Sequence, residues 1–592
     1  MRNLICMLIL AFLMPLLMSG RVYKMESFGI KPGAKNISEK TRKALEKIRN
    51  DAAPEEEITL SFLPGRYDFR PEHARIREYY ISNHDQTGEK AVGIALEEWS
   101  GLTLDGNGAE FFFHGTMLPV SLVRSSDCIL KNFSINFENP HIAQVEIIKN
   151  EGESGIVFKP SAEVRYRINA DGCLETFGEM WSLSPGYGMA FDGTTGHILA
   201  NTGDLICNIT DMEDLGNGLL RAPNWKDDRL VPGTFVTLRN YDRPAPGIFL
   251  SEDKNTIIEN VTVHYAFGMG LLAQLCDSIC LEKFNVLSSK GRFFTTQADA
   301  THFSQCKGLI ISRRGVYEGM MDDAINIHGI YLRITGLKDK RTITAEFGHE
   351  QAWGFDWGFP GDSVQFINPA TMEETGLHYT IETIHPVSGI SSGGAKEFEI
   401  KLSSEIPYES IKTGFGIENL SWTPEVIFSE NLVRNNRARG ALFSSPGRTI
   451  VENNVFDHTS GSAILLCGDC NGWFESGSCR NITIRRNRFI NALTSKYQFT
   501  AAVISIYPEI PDLEKQVKYF HGGNCGSISI TDNEFITFGT PLLYAKSTDG
   551  LEFKRNTVVL NNDFDAHKEG KCTVILDKTG LSEIEIPEIT EE

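Results

Sequence analysis

The stretch TIVENNVF at residues 449–456 decides the fold, because it shows most plainly a pattern that recurs along the chain. Thr449, Val451 and Phe456 stand seven, five and zero places before its end, and Asn454 stands two places before it. Alternation with period two is typical of short strands that bury one face. The same pattern, with small variations, also ends at residues 135, 263, 286, 316, 433, 489, 535 and 558.

The spacing of these ends indicates a 23-residue unit, because three of the gaps are 23 residues long. We interpret gaps of 30 and 33 residues as one unit with a short insertion, and the gap of 46 residues as two units. Gaps of 128 and 117 residues hold one or more units and a long insertion each. Such coils, stacked about 4.8 Å apart, are typical of a solenoid. We therefore predict an all-β chain, a right-handed parallel β-helix with barrel-like β insertions, rather than independent hairpins.

Asparagine occupies the same place in five of these units, two residues before the end. An amide side chain at one turn of stacked coils is expected to form a ladder with its neighbours, and asparagine tolerates the left-handed backbone that such turns use. The ladder residues are Asn431, Asn454, Asn487, Asn533 and Asn556.

The repeat and its interruptions divide the chain. Helical spacing over Ser38–Asn50 and a strand pattern over Ile58–Phe62 predict an N-terminal cap. The segments Pro232–Asn240 and Pro360–Asn368 resemble each other, so we expect the two long insertions to pair or pack into a small barrel. The predicted units are a signal peptide (1–20), the cap and first coils (21–136), a β-rich insertion (137–254), coils with the candidate site (255–329), a second β-rich insertion (330–422) and C-terminal coils (423–592).

Composition narrows the function. The 592 residues are 41% hydrophobic and 23% charged, which is typical of a folded chain, and the net charge of −20 lacks the basic surface that nucleic-acid binding needs. Arg2 followed by the apolar run Leu4–Leu17 predicts a cleaved signal peptide rather than a membrane anchor, hence a secreted or periplasmic protein without stable membrane insertion. Cys467, Cys470 and Cys479 favour a local disulfide or core packing over a zinc or redox site.

Acidic residues interrupt the apolar pattern at one level of the coils. Asp299 and the pair Asp322–Asp323 follow successive repeat ends, and the echo between DATH at 299–302 and DAIN at 323–326 favours stacking of Asp299 on Asp323. Stacked carboxylates raise the pKa of one another and mark a candidate site. Adjacent strand residues point to opposite faces, so both members of the pair reach one pocket only at a bend. A calcium site and a group of surface acids are the alternatives.

Polar and aromatic residues near this level could bind a sugar, because aromatic faces stack on sugar rings and charged groups bind hydroxyls. Loops inserted on one side of a solenoid also tend to form its site. The predicted substrate-binding residues are Arg292, His302, Asn326, His328, Trp353, Arg437, Trp473 and Glu475. We predict no metal and no cofactor.

The stretches DATHF at 299–303 and GMMDDAINIHG at 319–329, within an interrupted β-helix, resemble glycoside hydrolase family 110. The resemblance covers nearly the whole mature chain. It implies an exo-acting, inverting, metal-independent α-1,3-galactosidase with Asp299, Asp322 and Asp323 as the active-site aspartates. Its substrates would be blood group B-type branched glycans and also linear α-1,3-galactosides.

From position alone we expect Asp299 and Asp323, one coil apart, to hold the attacking water, and Asp322 to be the general acid with a raised pKa. Two other classes stay open. A polysaccharide lyase or polygalacturonase-like enzyme on the same fold would act on an acidic polymer, and the lyase would need calcium. A non-catalytic carbohydrate-binding β-helix would not need Asp322.

Overall fold

The computed structural model describes residues 20–53, 56–387, 394–407, 409–496, 501–523, 526–567 and 571–591. The predicted signal peptide therefore lies outside the described residues, apart from Gly20. No helix among the described ranges is both long and apolar enough to cross a membrane.

The predicted parallel β-helix is confirmed, because the strands of successive coils pair in parallel and in register. Val426 pairs with Thr449, and Thr449 pairs with Ile482. The larger sheet comprises, within the described ranges, the strands Arg21–Lys24, Ile58–Ser61, Gly65–Phe69, Leu102–Phe113, Ile129–Phe137, Lys254–Val263, Asp277–Val286, Lys307–Arg313, Val316–Glu318, Glu425–Ser429, Leu432–Arg434, Thr449–Glu452, Val455–Asp457, Ile482–Arg485, Arg488–Ile490, Ile528–Thr531, Glu534–Thr537, Leu551–Lys554, Thr557–Leu560, Ser582–Ile584 and Ile589–Glu591.

A second sheet of shorter strands carries the residues that matter for the site. Its pairing runs from Thr301 to Ile325 and on to Ala441. Its members, again for the described ranges, are Arg75–Glu78, Glu89–Glu97, Leu118–Val123, Ile248–Ser251, Leu271–Gln274, Thr301–Ser304, Ile325–Ile330, Ala441–Ser444, Ile464–Leu466, Glu475–Ser476, Ile504–Ile506, His521–Gly522, Leu543–Asp549 and Val574–Thr579.

One continuous apolar core fills the space between these sheets, and a helix closes one end. The helix Ser38–Asp51 buries Ala44, Leu45 and Ile48 in that core. The short 3-10 helices are Met25–Phe28, Gly152–Ser154 and Leu513–Lys515. The cysteines of the described ranges are free thiols and, apart from the half-buried Cys173, buried, so Cys467, Cys470 and Cys479 act as packing residues rather than as a disulfide.

The asparagine ladder is present and explains the recurring amide. The Oδ1 atom of Asn454 accepts the backbone N–H of Asn431 at 2.9 Å, and Asn487 does the same for Asn454 at 3.0 Å. Asn533 continues the ladder to Asn487, and Asn556 to Asn533, each at 3.0 Å. Each buried amide therefore satisfies a backbone donor that the turn leaves without a strand partner.

The ladder also corrects one interpretation of the repeat. Asn487 contacts Asn533 directly and Arg488 pairs with Glu534, so the 46-residue gap is one coil with a long insertion and not two units. The gaps of 128 and 117 residues are likewise single coils, since Ile258 pairs with Leu130 and Val433 with Tyr317.

We expect Asn454→Ala to lower the free energy of unfolding by about 2 kcal/mol, because it leaves the buried backbone N–H of Asn431 without an acceptor. The exposed Asn562→Ala is the matched control and should have little effect. Thermal and urea melts followed by circular dichroism would measure both. Equal melting points for the two variants would show that the ladder contributes no stability.

The two long insertions form separate β units beside the coils, and none of their described strands pairs with a strand of the other. The first has a seven-stranded sheet of Ala143–Asn150, Ile156–Pro160, Tyr187–Asp192, Leu205–Ile206, Glu213–Gly216, Leu219–Ala222 and Thr234–Arg239, and a three-stranded sheet of Tyr166–Ile168, Leu174–Gly178 and Trp181–Leu183. The second is a closed barrel of Leu332–Asp339, Thr342–Phe347, Ser363–Asn368, Glu373–Pro386, Glu397–Leu402 and Gly416–Asn419. The expected small barrel is therefore confirmed for the second insertion, whereas the expected pairing between the two insertions is wrong for the described strands.

Candidate active site

The three aspartates line a cavity of about 900 Å³. One carboxylate oxygen from each of Asp299, Asp322 and Asp323 lies within 4.8 Å of the others. Asp299 precedes the strand Thr301–Ser304, and the Ala300 backbone N–H donates to the Asp323 carbonyl at 2.8 Å, which sets Asp299 against Asp323 on the next coil. The register of the parallel coils therefore produces the stack.

Asp322 and Asp323 reach the same cavity because the chain bends between the strands Val316–Glu318 and Ile325–Ile330. The bend includes Gly319, whose φ of +65° lies in the left-handed region. The Asp322 side chain is 14% exposed, whereas that of Asp323 is 1% exposed. Asp322 therefore faces the open part of the cavity, and Asp299 and Asp323 lie behind it.

Arginines surround this acidic cluster. The Arg439 backbone N–H and its guanidinium donate to the two oxygens of Asp323, both at 2.8 Å. Arg243 donates to Asp322 Oδ2 at 3.0 Å, and Arg437 donates to Asp322 Oδ1 at 3.4 Å. Because guanidinium groups only donate, these contacts require Asp322 and Asp323 to accept at the bonded oxygens, as carboxylates do.

The charges separate the pKa values of the three carboxyls. Burial, together with the charges of Asp322 and Asp323, raises the pKa of Asp299 well above its usual value. Burial also raises the pKa of Asp323 to about 7, against the pull of Arg439.

Asp322 behaves in the opposite way, and this corrects the predicted raised pKa. Burial alone would raise the pKa of Asp322, but the guanidiniums of Arg437, Arg243 and other nearby arginines outweigh burial and lower it. Asp322 is therefore ionised in the unliganded site at neutral pH. The neighbouring aspartates alone would raise the pKa of Asp322, but the arginines that reverse its direction come from residues 79 and 115 places away in sequence.

Several predicted binding residues line the cavity. Asn326 is buried, and its Oδ1 has no hydrogen-bond partner among the described residues, while its amide donates to Glu475 at 3.4 Å. Trp473 is 44% exposed and stacks on His349 with ring centroids 4.0 Å apart. The predicted residues that line the cavity are His302, Asn326, Arg437, Trp473 and Glu475.

The loop that carries Trp473 is held by a carboxylate. Asp469 accepts the backbone N–H groups of Asn471, Gly472 and Trp473 at 2.6–3.1 Å. The short strand Glu475–Ser476 then pairs with Gly329 and Ile330, which brings Glu475 to the cavity. Trp473 and Glu475 therefore lie on a braced loop.

Three predicted binding residues do not line the cavity. Arg292 faces another cavity and binds Glu163 of the first insertion at 2.8–3.1 Å, so the structure does not bring it to this cavity. Trp353 packs in the barrel under Lys396, whose Nζ lies 4.1 Å from the ring centroid, and it too is not brought to this cavity. His328 lies behind the cavity and contacts His302.

Sequence reasoning missed other lining residues. Arg439 stands at the place in its coil that Asp322–Asp323 occupies in the preceding one, so the repeat itself could have identified it. Tyr241 and Arg243 follow the last strand of the first insertion, and His349 and Gln351 belong to the second, where no repeat phase exists.

Two family models and one solved structure are similar to this chain. The GLAA-B beta-barrel domain I model matches residues 143–236, and the GLAA-B beta-barrel domain II model matches residues 342–414. A solved Streptomyces thermodiastaticus α-1,3-glucanase catalytic unit has a TM-score of 0.37 and 11% identity, over 95% of this chain and 69% of that chain.

Full-length relatives are much more similar. An α-1,3-galactosidase B of Phocaeicola vulgatus is 58% identical over 551 residues, which is 92% of this chain and 93% of the relative. One of Bacteroides fragilis is 54% identical over 563 residues, 94% of this chain and 95% of the relative. The chain thus belongs to the α-1,3-galactosidase B family of glycoside hydrolases, which confirms the resemblance to family 110.

Proposed function

We propose that this protein is an inverting exo-glycosidase that hydrolyses terminal α-1,3-linked galactose from blood group B-type branched glycans and from linear α-1,3-galactosides. The observation that carries this proposal is the cluster of three carboxyls that lines a large cavity. The full-length relatives, which are α-1,3-galactosidases B, support the choice of an α-1,3 bond and of galactose.

The walls of the cavity support exo action. Loops from both insertions and from the coils surround the aspartates, so a chain end enters more easily than a polymer crosses. The wall residues include Tyr241, Arg243, His349, Gln351, Trp473 and Glu509.

The proposed inversion depends on a water that Asp299 and Asp323 would hold together. Inverting glycosidases usually separate acid and base by about 6.5–9.5 Å, and retaining enzymes by about 5–5.5 Å. The oxygens here lie within 4.8 Å, too near for a water placed directly between a facing acid and base. One water bridging Asp299 and Asp323 with hydrogen bonds of about 2.8 Å would still fit and attack from one side.

In this mechanism the ionised form of Asp323, which the contacts with Arg439 favour, accepts the proton of the attacking water. The bond from C1 to the leaving oxygen breaks, and that oxygen takes a proton through Asp322, the most exposed carboxyl of the three. Asp322 must first be protonated, which requires its contacts with Arg243 and Arg437 to weaken as sugar hydroxyls take up those guanidiniums.

The test is incubation with an α-1,3-linked galactose disaccharide, followed by time-resolved proton NMR. We expect free galactose that is β when first formed and mutarotates later. Galactose that is first α would replace inversion with retention. No release from this disaccharide or from an aryl α-galactoside would refute the galactosidase proposal.

The lyase alternative depends on calcium, and the three aspartates could in principle hold a cation. Arginines already pair with the carboxyls of Asp322 and Asp323, which leaves little negative charge for a divalent ion. We therefore expect activity to stay within twofold after dialysis against EDTA. Loss of activity that calcium restores would favour a metal site.

We expect Trp473→Ala to lower kcat/KM about five- to tenfold, mainly through KM, because an exposed indole would stack on the apolar face of a sugar. Trp353→Ala is the matched control, since this indole lies in the barrel outside the cavity. Steady-state kinetics on the disaccharide would measure both. Equal KM values for Trp473→Ala and the wild type would show that Trp473 does not stack on the sugar.

We also propose a secreted or periplasmic location.

A further inference from the structure

A buried hydrogen-bond chain leads away from the active-site aspartates. Asp299 Oδ2 lies 2.7 Å from His302 Nδ1, and His302 Nε2 lies 2.8 Å from His328 Nε2. His328 Nδ1 lies 2.6 Å from the Gly329 carbonyl oxygen. The two imidazoles are each at most 2% exposed. No step of the hydrolysis proposed above uses either histidine.

Counting hydrogens along this chain gives a definite result. The Gly329 carbonyl only accepts, so His328 Nδ1 carries a hydrogen. Each of the three hydrogen bonds needs one hydrogen, but two neutral imidazoles supply only two, and a carboxylate supplies none. We infer that Asp299, His302 and His328 together hold one proton more than a carboxylate and two neutral imidazoles, and that His302 and His328 are positioning residues that keep this proton beside the reacting carboxyls.

With both histidines neutral, the direction of the chain follows. His328 Nε2 accepts, so His302 Nε2 donates, His302 Nδ1 is bare, and Asp299 must donate to it as a carboxylic acid. This arrangement agrees with the low pKa of His302, which results from burial and the neighbouring His328.

The charges around the chain determine how firmly it holds the proton. Asp322 and Asp323 favour the extra proton, and Arg243 and Arg439 oppose it. Glu475 Oε1 lies 3.5 Å from His328 Nε2 and also favours it, whereas His84 faces His302 as a buried, neutral imidazole.

This inference rests on the proposed hydrolysis for its consequence. An inverting enzyme gains a proton at the base and loses one at the acid in every turnover. A proton stored at Asp299, within 4.8 Å of both Asp322 and Asp323, can reprotonate Asp322, and the proton taken up by Asp323 can refill the store. The ionised Asp322 of the unliganded site is thereby supplied without a proton from bulk water.

A direct test is neutron diffraction from crystals of the full chain exchanged into D₂O near neutral pD. We expect three deuterons, one in each of the three hydrogen bonds. Two deuterons, with both Nε2 atoms bare, would overturn the inference. The count is independent of activity, so it stands even if the protein fails to hydrolyse galactosides.

The kinetic test uses substitutions at His328. His328→Phe removes the acceptor that fixes His302, so His302 is free to donate from Nδ1 to an ionised Asp299. The proton is then lost more easily, and we expect the alkaline limb of the kcat/KM profile to move down by about one pH unit or more. His328→Gln keeps an acceptor and should restore the limb to within about 0.3 pH unit of the wild type.

The control is His264→Phe, which changes a half-buried histidine bound to the Leu287 carbonyl outside the site and should not move the limb. If His328→Phe and His328→Gln both lower activity without moving the limb, the histidines only support the structure and the inference fails.

Discussion

Replacing Asp323 by asparagine is expected to lower kcat at least 10³-fold on a natural α-1,3-linked disaccharide and on an aryl galactoside alike. The variant lacks the proposed general base, and general bases contribute about 10²–10⁴-fold. In the wild type, the guanidinium and the backbone N–H of Arg439 donate to the two oxygens of Asp323. In the variant, the amide NH₂ would face one of these donors and could not accept its hydrogen bond. Steady-state kinetics on both substrates would measure the loss.

The matched control is Asp532→Asn. Asp532 also accepts two hydrogen bonds from one arginine, with Arg555 donors at 2.8 and 3.0 Å, but it lies on an exposed turn of the larger sheet. We expect this variant to keep wild-type kinetics. Asp323→Asn activity within tenfold of the wild type, with an unchanged melting point, would remove Asp323 from the reaction.

Replacing Asp322 by asparagine should produce a loss that depends on the leaving group. A natural sugar leaving group needs protonation, so we expect about 10³-fold loss on the disaccharide. An aryl galactoside with an acidic phenol needs little help and should lose about tenfold or less. Comparing kcat/KM across a series of phenols would measure the dependence.

The same series on Asp299→Asn separates the roles of the two residues. If Asp322→Asn harms all substrates equally and Asp299→Asn shows the leaving-group dependence, Asp299 donates the proton directly and Asp322 holds the water. That outcome would reverse the roles without affecting the galactosidase proposal.

The coil register could be predicted because it is local and repeated. Apolar alternation and the asparagine at one turn recur in phase, so Asp299 could be stacked against Asp323 without coordinates. The number of coils is ambiguous where an insertion is as long as the repeat unit, so a gap of 46 residues fits two units as well as one coil with an insertion. Arg439 follows the same register, and only its chemistry was overlooked.

The rest of the site depends on contacts that no repeat describes. Arg243 and Arg437 reach Asp322 from 79 and 115 residues away in sequence. Their positions depend on how the insertions and coils pack, and so does the pKa of Asp322. Arg292 lies close to Asp299 in sequence, but it binds Glu163 outside the site. Trp353 lies in the second insertion, but its ring packs under Lys396 in the barrel.

Each long insertion leaves and rejoins the solenoid between adjacent coils, as the pairing of Ile258 with Leu130 and of Val433 with Tyr317 shows. The inserted domains therefore set the shape of the entrance without altering the spacing of the aspartates. Selection can change which glycan ends are admitted by rewriting these domains, while the reacting groups stay at the separation that the backbone ladder imposes. Diversification of substrate range in such a scaffold does not require the chemistry to be rebuilt.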